Sequence, residues 1–239
     1  LLPLNPELSV VVLCYRSEES VPDFVRQLES ELLLEKVSFE LILVANFDKG
    51  SLDRTPSIAA EVANGKENIK VVAKPKEGRM GWDMRSGFDA ARGQYIAVID
   101  GDGQMPVSDI PIVYRLIKTG KYDLVKTFRI KRFDGWHRKL LSSGYNFLFR
   151  ILFNPFYPMH DVNSKPKIMT RGALQTLHLV SNDWFTDAEI MIECLRHQQR
   201  ICEVGTIFYK NDRRRSFVNY RTIMEFVINL FYYRFKLKK

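Results

Sequence analysis

The chain has 239 residues, 46% hydrophobic and 27% charged, which suits one globular domain, with or without a small appendage, large enough to bury a core. Its net charge of +8 and pI near 9.3 favour polyanionic partners: nucleic acid, nucleotide diphosphates or an anionic membrane surface. Three cysteines (Cys14, Cys194, Cys202) without a C-x-x-C pair, and four histidines without H-x-x-x-H spacing, argue against a disulfide framework and a zinc site, and the chain reads as cytosolic and reduced.

Val10-Val11-Val12-Leu13 reads as a short buried strand, followed by a helix over 18–34 with Pro22 in its opening turn. Leu41-Ile42-Leu43-Val44 is the second strand, and 56–63 the second helix, with Thr55 as its N-cap. Ile69-Lys70-Val71-Val72 is the third strand, and a helix over 82–91 ends at Gly93. Tyr95-Ile96-Ala97-Val98-Ile99 is the fourth, apolar enough to be covered on both faces. Strand–helix alternation at this spacing predicts βαβ units and a parallel sheet, an α/β fold. The first strand is not followed by G-x-G-x-x-G, which weakens a dinucleotide-cofactor reading, and the absence of a Walker A loop excludes P-loop chemistry.

The fourth strand delivers Asp100-Gly101-Asp102-Gly103-Gln104 at the sheet edge where open α/β folds bind ligands. If the backbone stays extended, its period of two sets Asp100, Asp102 and Gln104 on one side, three oxygen donors for a hard divalent cation. The intervening glycines let phosphate approach the backbone closely. The alternative is a solvated acidic turn. An EF-hand loop is excluded, since its sixth position holds Met105 and its twelfth Pro111. A nucleic-acid-binding module would explain the charge and leave this motif unexplained; nucleotidyltransferases and phosphotransferases also place paired aspartates after a strand.

Residues 126–140 form a dense basic stretch carrying Lys126, Arg129, Lys131, Arg132, Arg138 and Lys139, followed by an aromatic run over 145–153. Arg213-Arg214-Arg215-Ser216 precedes an apolar run over 226–233, too short to span a bilayer. With Arg234, Lys236, Lys238 and Lys239 it suits a helix lying in the interface of an anionic membrane, or a core or dimer-contact helix with a solvated basic end. The expected division is a catalytic domain over 1–216 and an amphipathic juxtamembrane helix over 217–239.

Taken in order, these motifs resemble the family 2 glycosyltransferases with a GT-A fold, particularly the polyprenyl-phosphate branch that includes dolichol-phosphate mannose synthase. The likeness runs from about Ser9 to Ser216. Where the family reads P-x-Y-N-E after its first strand, this chain has Leu13-Cys14-Tyr15-Arg16-Ser17-Glu18, so the resemblance puts Cys14, Tyr15 and Glu18 beside the nucleotide. Gly50-Ser51-Leu52-Asp53-Arg54-Thr55 matches G-S-x-D-x-T; before it, Asn46 matches the base-reading aspartate, with Asp48 as a rival. Lys76-Glu77-Gly78-Arg79-Met80-Gly81 resembles the loop over the donor, and Gly87 with Ala90-Ala91-Arg92-Gly93 the helix behind it. Asp100, Asp102 and Gln104 match D-x-D-x-Q, with Gly101 beside them and Pro106 as the usual proline. Arg129 and Arg138 with Ser142 resemble the basic segment that faces the donor and acceptor phosphates. Asp161-Val162-Asn163-Ser164-Lys165-Pro166-Lys167 resembles D-x-x-S-G-F-K/R, with Lys-Pro for Gly-Phe, and Phe185-Thr186-Asp187-Ala188-Glu189 matches F-x-D-x-E, followed by the short strand at Glu203-Val204. Arg213 to Ser216 resembles R-x-x-G-x-S, with Arg215 in place of Gly.

The resemblance implies a Rossmann-like GT-A fold, with a mostly parallel central sheet flanked by helices and C-terminal interfacial helices. It implies metal-dependent, inverting transfer of a hexose from a UDP- or GDP-type sugar to a dolichyl- or undecaprenyl-type polyprenyl phosphate. Mg2+ or Mn2+ on Asp100, Asp102 and Gln104 would act as Lewis acid on the leaving diphosphate. A polyprenyl phosphate is already an anionic nucleophile, which Arg129, Arg132 and Arg138 would position. The alternative acceptor, a sugar hydroxyl of a polysaccharide or glycolipid, needs a general base, and Asp187 is the candidate. The expected location is the cytoplasmic face of a membrane, peripheral or anchored through segments outside these residues. A homo-oligomer is compatible with this reading and a nucleic-acid partner is not.

Overall fold

The computed structural model describes residues 6–133, 135–153, 159–210 and 220–235. In chain order the elements are β1 (Leu8–Leu13), α1 (Val21–Leu34), β2 (Phe39–Val44), α2 (Thr55–Ala63), β3 (Ile69–Val72), α3 (Met80–Ala90), β4 (Tyr95–Asp100), α4 (Asp109–Ile117) and β5 (Leu124–Arg132). They continue with α5 (Trp136–Phe153), β6 (Lys167–Thr170), α6 (Arg171–Thr176), α7 (Thr186–Arg196), β7 (Ile201–Phe208) and α8 (Tyr220–Phe235). The strands form one seven-stranded sheet in the order β3-β2-β1-β4-β6-β5-β7. β6 alone runs against its neighbours β4 and β5, and β7 lies parallel to β5 at the edge.

The four strands read from the sequence form the parallel half of this sheet. β1 and β2 are buried along their whole length. Their alternation divides two cores: Val10 and Val12 face a layer with Phe24, Leu28 and Leu32 of α1, while Val11 and Leu13 face one with Met84 and Phe88 of α3. Leu13 pairs with both Val44 and Asp100, so β1, β2 and β4 end level and open onto a common edge.

Local detail departs from the sequence reading at three places. The 18–34 helix begins at Val21, preceded by a short 3-10 turn in which Glu18 adopts φ +32°. Thr55 is not the N-cap of α2 but its first residue; Arg54 sits at the cap. The Thr55 hydroxyl accepts from the Ser17 and Glu18 amides, each at 3.1 Å, and donates to Asp53 Oδ1 at 2.5 Å, stapling the helix onto the turn after β1. α3 spans Met80–Ala90 and is capped at Ala91, so Gly93 is not its terminator. Gly93 lies against β1: its amide donates to Ser9 Oγ at 2.7 Å, and a Cβ there would sit 2.5 Å from the Ser9 nitrogen.

The C-terminal apolar run lies in α8, which packs on α5 with the Tyr145 and Phe226 ring centroids 5.4 Å apart. Leu230 and Tyr233 are buried, and the Tyr233 phenol donates to Glu189 Oε1 at 2.6 Å. The Arg213 to Ser216 motif and Lys236, Lys238 and Lys239 lie outside the described residues.

Candidate active site

Asp100 is the last residue of β4, and its side chain is 34% exposed at the common strand edge. The backbone does not stay extended beyond it. It turns through 101–105, with Gly103 at φ +74°, and Asp102 Oδ1 accepts the Gln104 amide at 3.1 Å, an Asx-type turn. The expected one-sided row of three donors is therefore replaced by a turn. Gln104 is clipped to the segment after β7: its Nε2 donates to the Tyr209 carbonyl at 3.1 Å and its own carbonyl accepts the Tyr209 amide at 2.9 Å. Gly101 has a packing reason to lack a side chain, since a Cβ would lie 3.0 Å from Val12 Cγ1 and 3.2 Å from the Leu13 carbonyl.

Opposite Asp100 lies a group of buried charges. Asp187, in the first turn of α7 and 2% exposed, accepts from Lys165 Nζ at 2.9 Å and Lys167 Nζ at 2.5 Å. Lys165 Nζ also lies 3.4 Å from Asp100 Oδ2 and 3.3 Å from Met80 Sδ. Burial opposes charge on Asp187, yet the two ammonium groups outweigh it and hold the carboxyl below its ordinary range. Burial likewise opposes the Lys165 charge, and Asp100 and Asp187 overcome it, holding the ammonium above the lysine range. Lys167 loses that contest: burial pushes it down to about 8 despite Asp187. Glu189, the second carboxylate of the same motif, is a structural anchor that accepts the Val180 and Ser181 amides at 2.8 and 3.1 Å and the Tyr233 hydroxyl.

The side of the edge nearer β2 carries the residues matched to the nucleotide. Asn46 is fully engaged within the protein: Nδ2 donates to Asp83 Oδ1 at 2.9 Å and Oδ1 accepts the Lys74 amide at 2.9 Å. Asp48, about half exposed, accepts from the Tyr15 phenol at 2.6 Å and from Arg16 Nη2 at 3.1 Å. Burial, with Asp48 next, pushes the Tyr15 phenol up to about 12. Lys76 Nζ sits 4.0 Å from the Tyr15 ring centroid and is ion-paired to Asp83. Cys14 is buried, its thiol pushed up to about 12 by burial, so it packs and does not react. Glu18 Oε1 accepts the Arg54 amide at 3.2 Å at the head of α2. Gly78 and the exposed Arg79 belong to a loop pinned to 181–183, where the Arg79 and Gly81 amides donate to the Asn182 and Asp183 carbonyls at 2.6 and 2.8 Å.

The basic segment is partly internal. Arg129 forms a two-pronged pair with Asp161 at 2.5 and 2.7 Å, and Lys126, wholly buried, pairs with Glu203 Oε1 at 2.9 Å across the β5–β7 register. Burial would raise the Asp161 carboxyl, but Arg129 and then Lys126 bring it down to about 2. Arg138 lies in the first turn of α5. Sequence reasoning placed Lys126 in the basic stretch and Lys165 and Lys167 in a matched loop without giving them buried charge partners, and it passed over Asp83. The available signal was a lysine inside the apolar strand Leu124-Val125-Lys126 and two more flanking Pro166, each needing a buried counter-charge.

The motif supplies two carboxylates two residues apart, Asp100 a third exposed at the strand edge and Asp102 in the turn after it, and Mg2+ and Mn2+ take oxygen donors of this kind together with phosphate and water. The residue types present suit such an ion, and Asp100 and Asp102 are the side chains that would hold it.

Comparison with known proteins bears on the family and the fold. The family model for glycosyl transferase family 2 matches residues 9–177. Undecaprenyl-phosphate 4-deoxy-4-formamido-L-arabinose transferase of Proteus mirabilis (strain HI4320) is 37% identical over 145 residues, 59% of this chain and 42% of that protein. Dodecaprenyl-phosphate galacturonate synthase of Rhizobium johnstonii is 30% identical over 177 residues, 73% of this chain and 51% of the relative. The chain thus spans about half the length of the curated relatives it matches. Glucosyl-3-phosphoglycerate synthase of Mycobacterium tuberculosis, solved with Mn2+, UDP and phosphoglyceric acid, matches at TM-score 0.74 and 17% identity, covering 96% of this chain and 78% of its own.

Proposed function

The chain belongs to glycosyl transferase family 2 and carries the GT-A fold, and from that premise we propose that it moves a sugar from a nucleoside diphosphate to a polyprenyl phosphate with inversion at C1. The donor lies along the common ends of β1, β2 and β4, its base beside Tyr15 and Asp48 and its diphosphate beside Asp100 and Asp102. A divalent cation held by that pair would neutralise the leaving diphosphate. The curated relatives named above act on polyprenyl phosphates, and solved proteins of this fold bind UDP with Mn2+.

The observation that carries the choice of acceptor is the capture of Asp187. A carboxylate enclosed by Lys165 and Lys167 and held below its ordinary range is a poor proton acceptor. A sugar-hydroxyl acceptor needs such a base; a phosphate monoester, already anionic, does not. Arg129 then steadies the loop at Asp161, and Arg138 in the first turn of α5 is the arginine proposed to meet the lipid phosphate.

Two packed helices support a membrane setting. On α5, Trp136, Leu140, Phe147 and Ile151 are exposed and recur at helical spacing along one face; on α8, Met224, Ile228, Phe231 and Phe235 do the same. No helix among the described residues is long and apolar enough to cross a bilayer, so contact of this kind is interfacial.

The test is calorimetric titration of UDP and GDP, with and without Mn2+, on wild type and Asp102→Asn. One nucleotide should bind more tightly with Mn2+, and that tightening should vanish in the variant. Transfer assays with a short-chain polyprenyl phosphate and a free sugar should then show product on the phosphate alone. Transfer to the sugar hydroxyl would overturn the acceptor assignment.

A further inference from the structure

Lys165 enters the donor site from the wall opposite Asp100 with its side chain 3% exposed. Three acceptors surround its Nζ: Asp187 Oδ2 at 2.9 Å, Met80 Sδ at 3.3 Å and Asp100 Oδ2 at 3.4 Å. Asp187 already has a second cation, Lys167 Nζ, at 2.5 Å, and Lys167 is additionally fixed by the Ser164 carbonyl at 2.7 Å. One carboxylate charge is thereby shared between two ammonium groups, and the balance falls on Asp100. Asp100 belongs to the very pair that fits a divalent ion, and it has one face in solvent and the other on Lys165. An ion arriving on Asp100 meets a fixed like charge that the fold cannot move away, because Lys165 sits in a buried segment between Ser164 and β6. A diphosphate arriving at the same place meets an attractive charge.

Building on the donor-site reading above, we propose that Lys165 is a resident counter-cation of the metal motif. It competes with the divalent ion for Asp100, so the bare site binds metal weakly, while the donor diphosphate is attracted before any metal is present. Metal and nucleotide then bind best together, since the diphosphate supplies the negative charge that offsets Lys165.

Lys165→Met tests this, because Asp187 keeps Lys167 as its partner and the charge removed is the one that faces Asp100; Lys165→Gln is the second variant should the first not fold, with thermal unfolding as the check. Mn2+ alone, followed by loss of its free-ion paramagnetic resonance signal, should bind at least about tenfold more tightly to the variant than to wild type. UDP and GDP titrated in EDTA should show the preferred nucleotide binding to wild type and binding at least about tenfold more weakly to the variant. Equal Mn2+ affinities in the two proteins, with nucleotide still bound by both, would overturn the role of Lys165 and leave the donor site standing. Failure of both proteins to bind either nucleotide even with Mn2+ would overturn the donor-site reading, and this inference with it.

Discussion

At the scale of single residues, the two rivals for reading the base differ in what each already touches. Asn46 has its amide nitrogen on Asp83 and its oxygen on the Lys74 amide, so it holds the end of β2 to α3. Asp48 is half exposed beside Tyr15. Asp48→Ala should weaken nucleotide binding at least about tenfold while changing stability by no more than about 0.5 kcal/mol. Asn46→Asp, which sets a second carboxylate against buried Asp83, should instead cost about 3–5 kcal/mol in denaturant unfolding. Equal nucleotide affinity in wild type and Asp48→Ala would remove Asp48 from the site. In the sequence Asn46 is the closer match and Asp48 its rival; the groups each touches, Asp83 and the Lys74 amide for Asn46 and Tyr15 and Arg16 for Asp48, come from other elements and leave no mark on the local pattern. Asp161 yields a pH prediction. Its carboxyl is held at about 2 against an ordinary value of 3.8, so the stability it contributes is present above pH 4 and is lost as pH falls through 2. That contribution is about 2 kcal/mol. Urea unfolding of wild type should show this loss between pH 4 and 2, and Asp161→Asn, unstable throughout, should lack it.

At the scale of elements, the glycines separate by what stands over them. A Cβ on Gly81 would lie 2.1 Å from Thr186 Oγ1, 2.6 Å from the Ser181 carbonyl and 2.8 Å from the Asp183 carbonyl, so the start of α3 and the loop before α7 touch only because no side chain intervenes. Gly81→Ala should therefore destabilise by about 1–3 kcal/mol. Gly144, exposed in the middle of α5, has open space at the same position, and Gly144→Ala should stabilise by about 0.5–1 kcal/mol. Opposite shifts in thermal unfolding are the expected result, and a neutral Gly81→Ala would contradict the packing argument. The sequence signalled these elements unevenly, for a physical reason. β1 to β4 are continuous apolar runs because a central parallel strand is covered on both faces, and such runs are readable without a partner. β6 and β7 were harder to read: β6 has four residues, one of them a buried lysine, and its antiparallel place between β4 and β5 follows from the chain path alone. The acidic motif was legible and a turn was the alternative reading of it, which the structure takes with Gly103 at φ +74°; the clamp from Tyr209 was not, since it comes from about a hundred residues away.

For the whole molecule, net charge and surface pattern point in one direction. A helix packed on one face should be polar on the other, yet α5 and α8 keep exposed aromatic and aliphatic side chains along one stripe each, near Lys139, Arg150 and Arg234. In water such stripes are unfavourable; at an anionic bilayer they bury apolar area while the cations face lipid phosphate, each worth about 1 kcal/mol near the surface. Flotation with vesicles should show binding that rises with anionic lipid and falls with salt. Phe147 and Ile228 are both exposed, so changing them to Asp leaves the two cores intact. Each substitution removes about 1.5–3 kcal/mol of apolar burial in the interface, so the double variant should bind vesicles at least about a hundredfold more weakly with its unfolding unchanged. The same variant should keep its turnover on a water-soluble short-chain polyprenyl phosphate, because neither residue lies among the charges around Asp100 and Asp187. Loss of turnover on both long and short acceptors would instead make the stripes part of the catalytic machinery, and unchanged vesicle binding would mean that they face something other than a membrane.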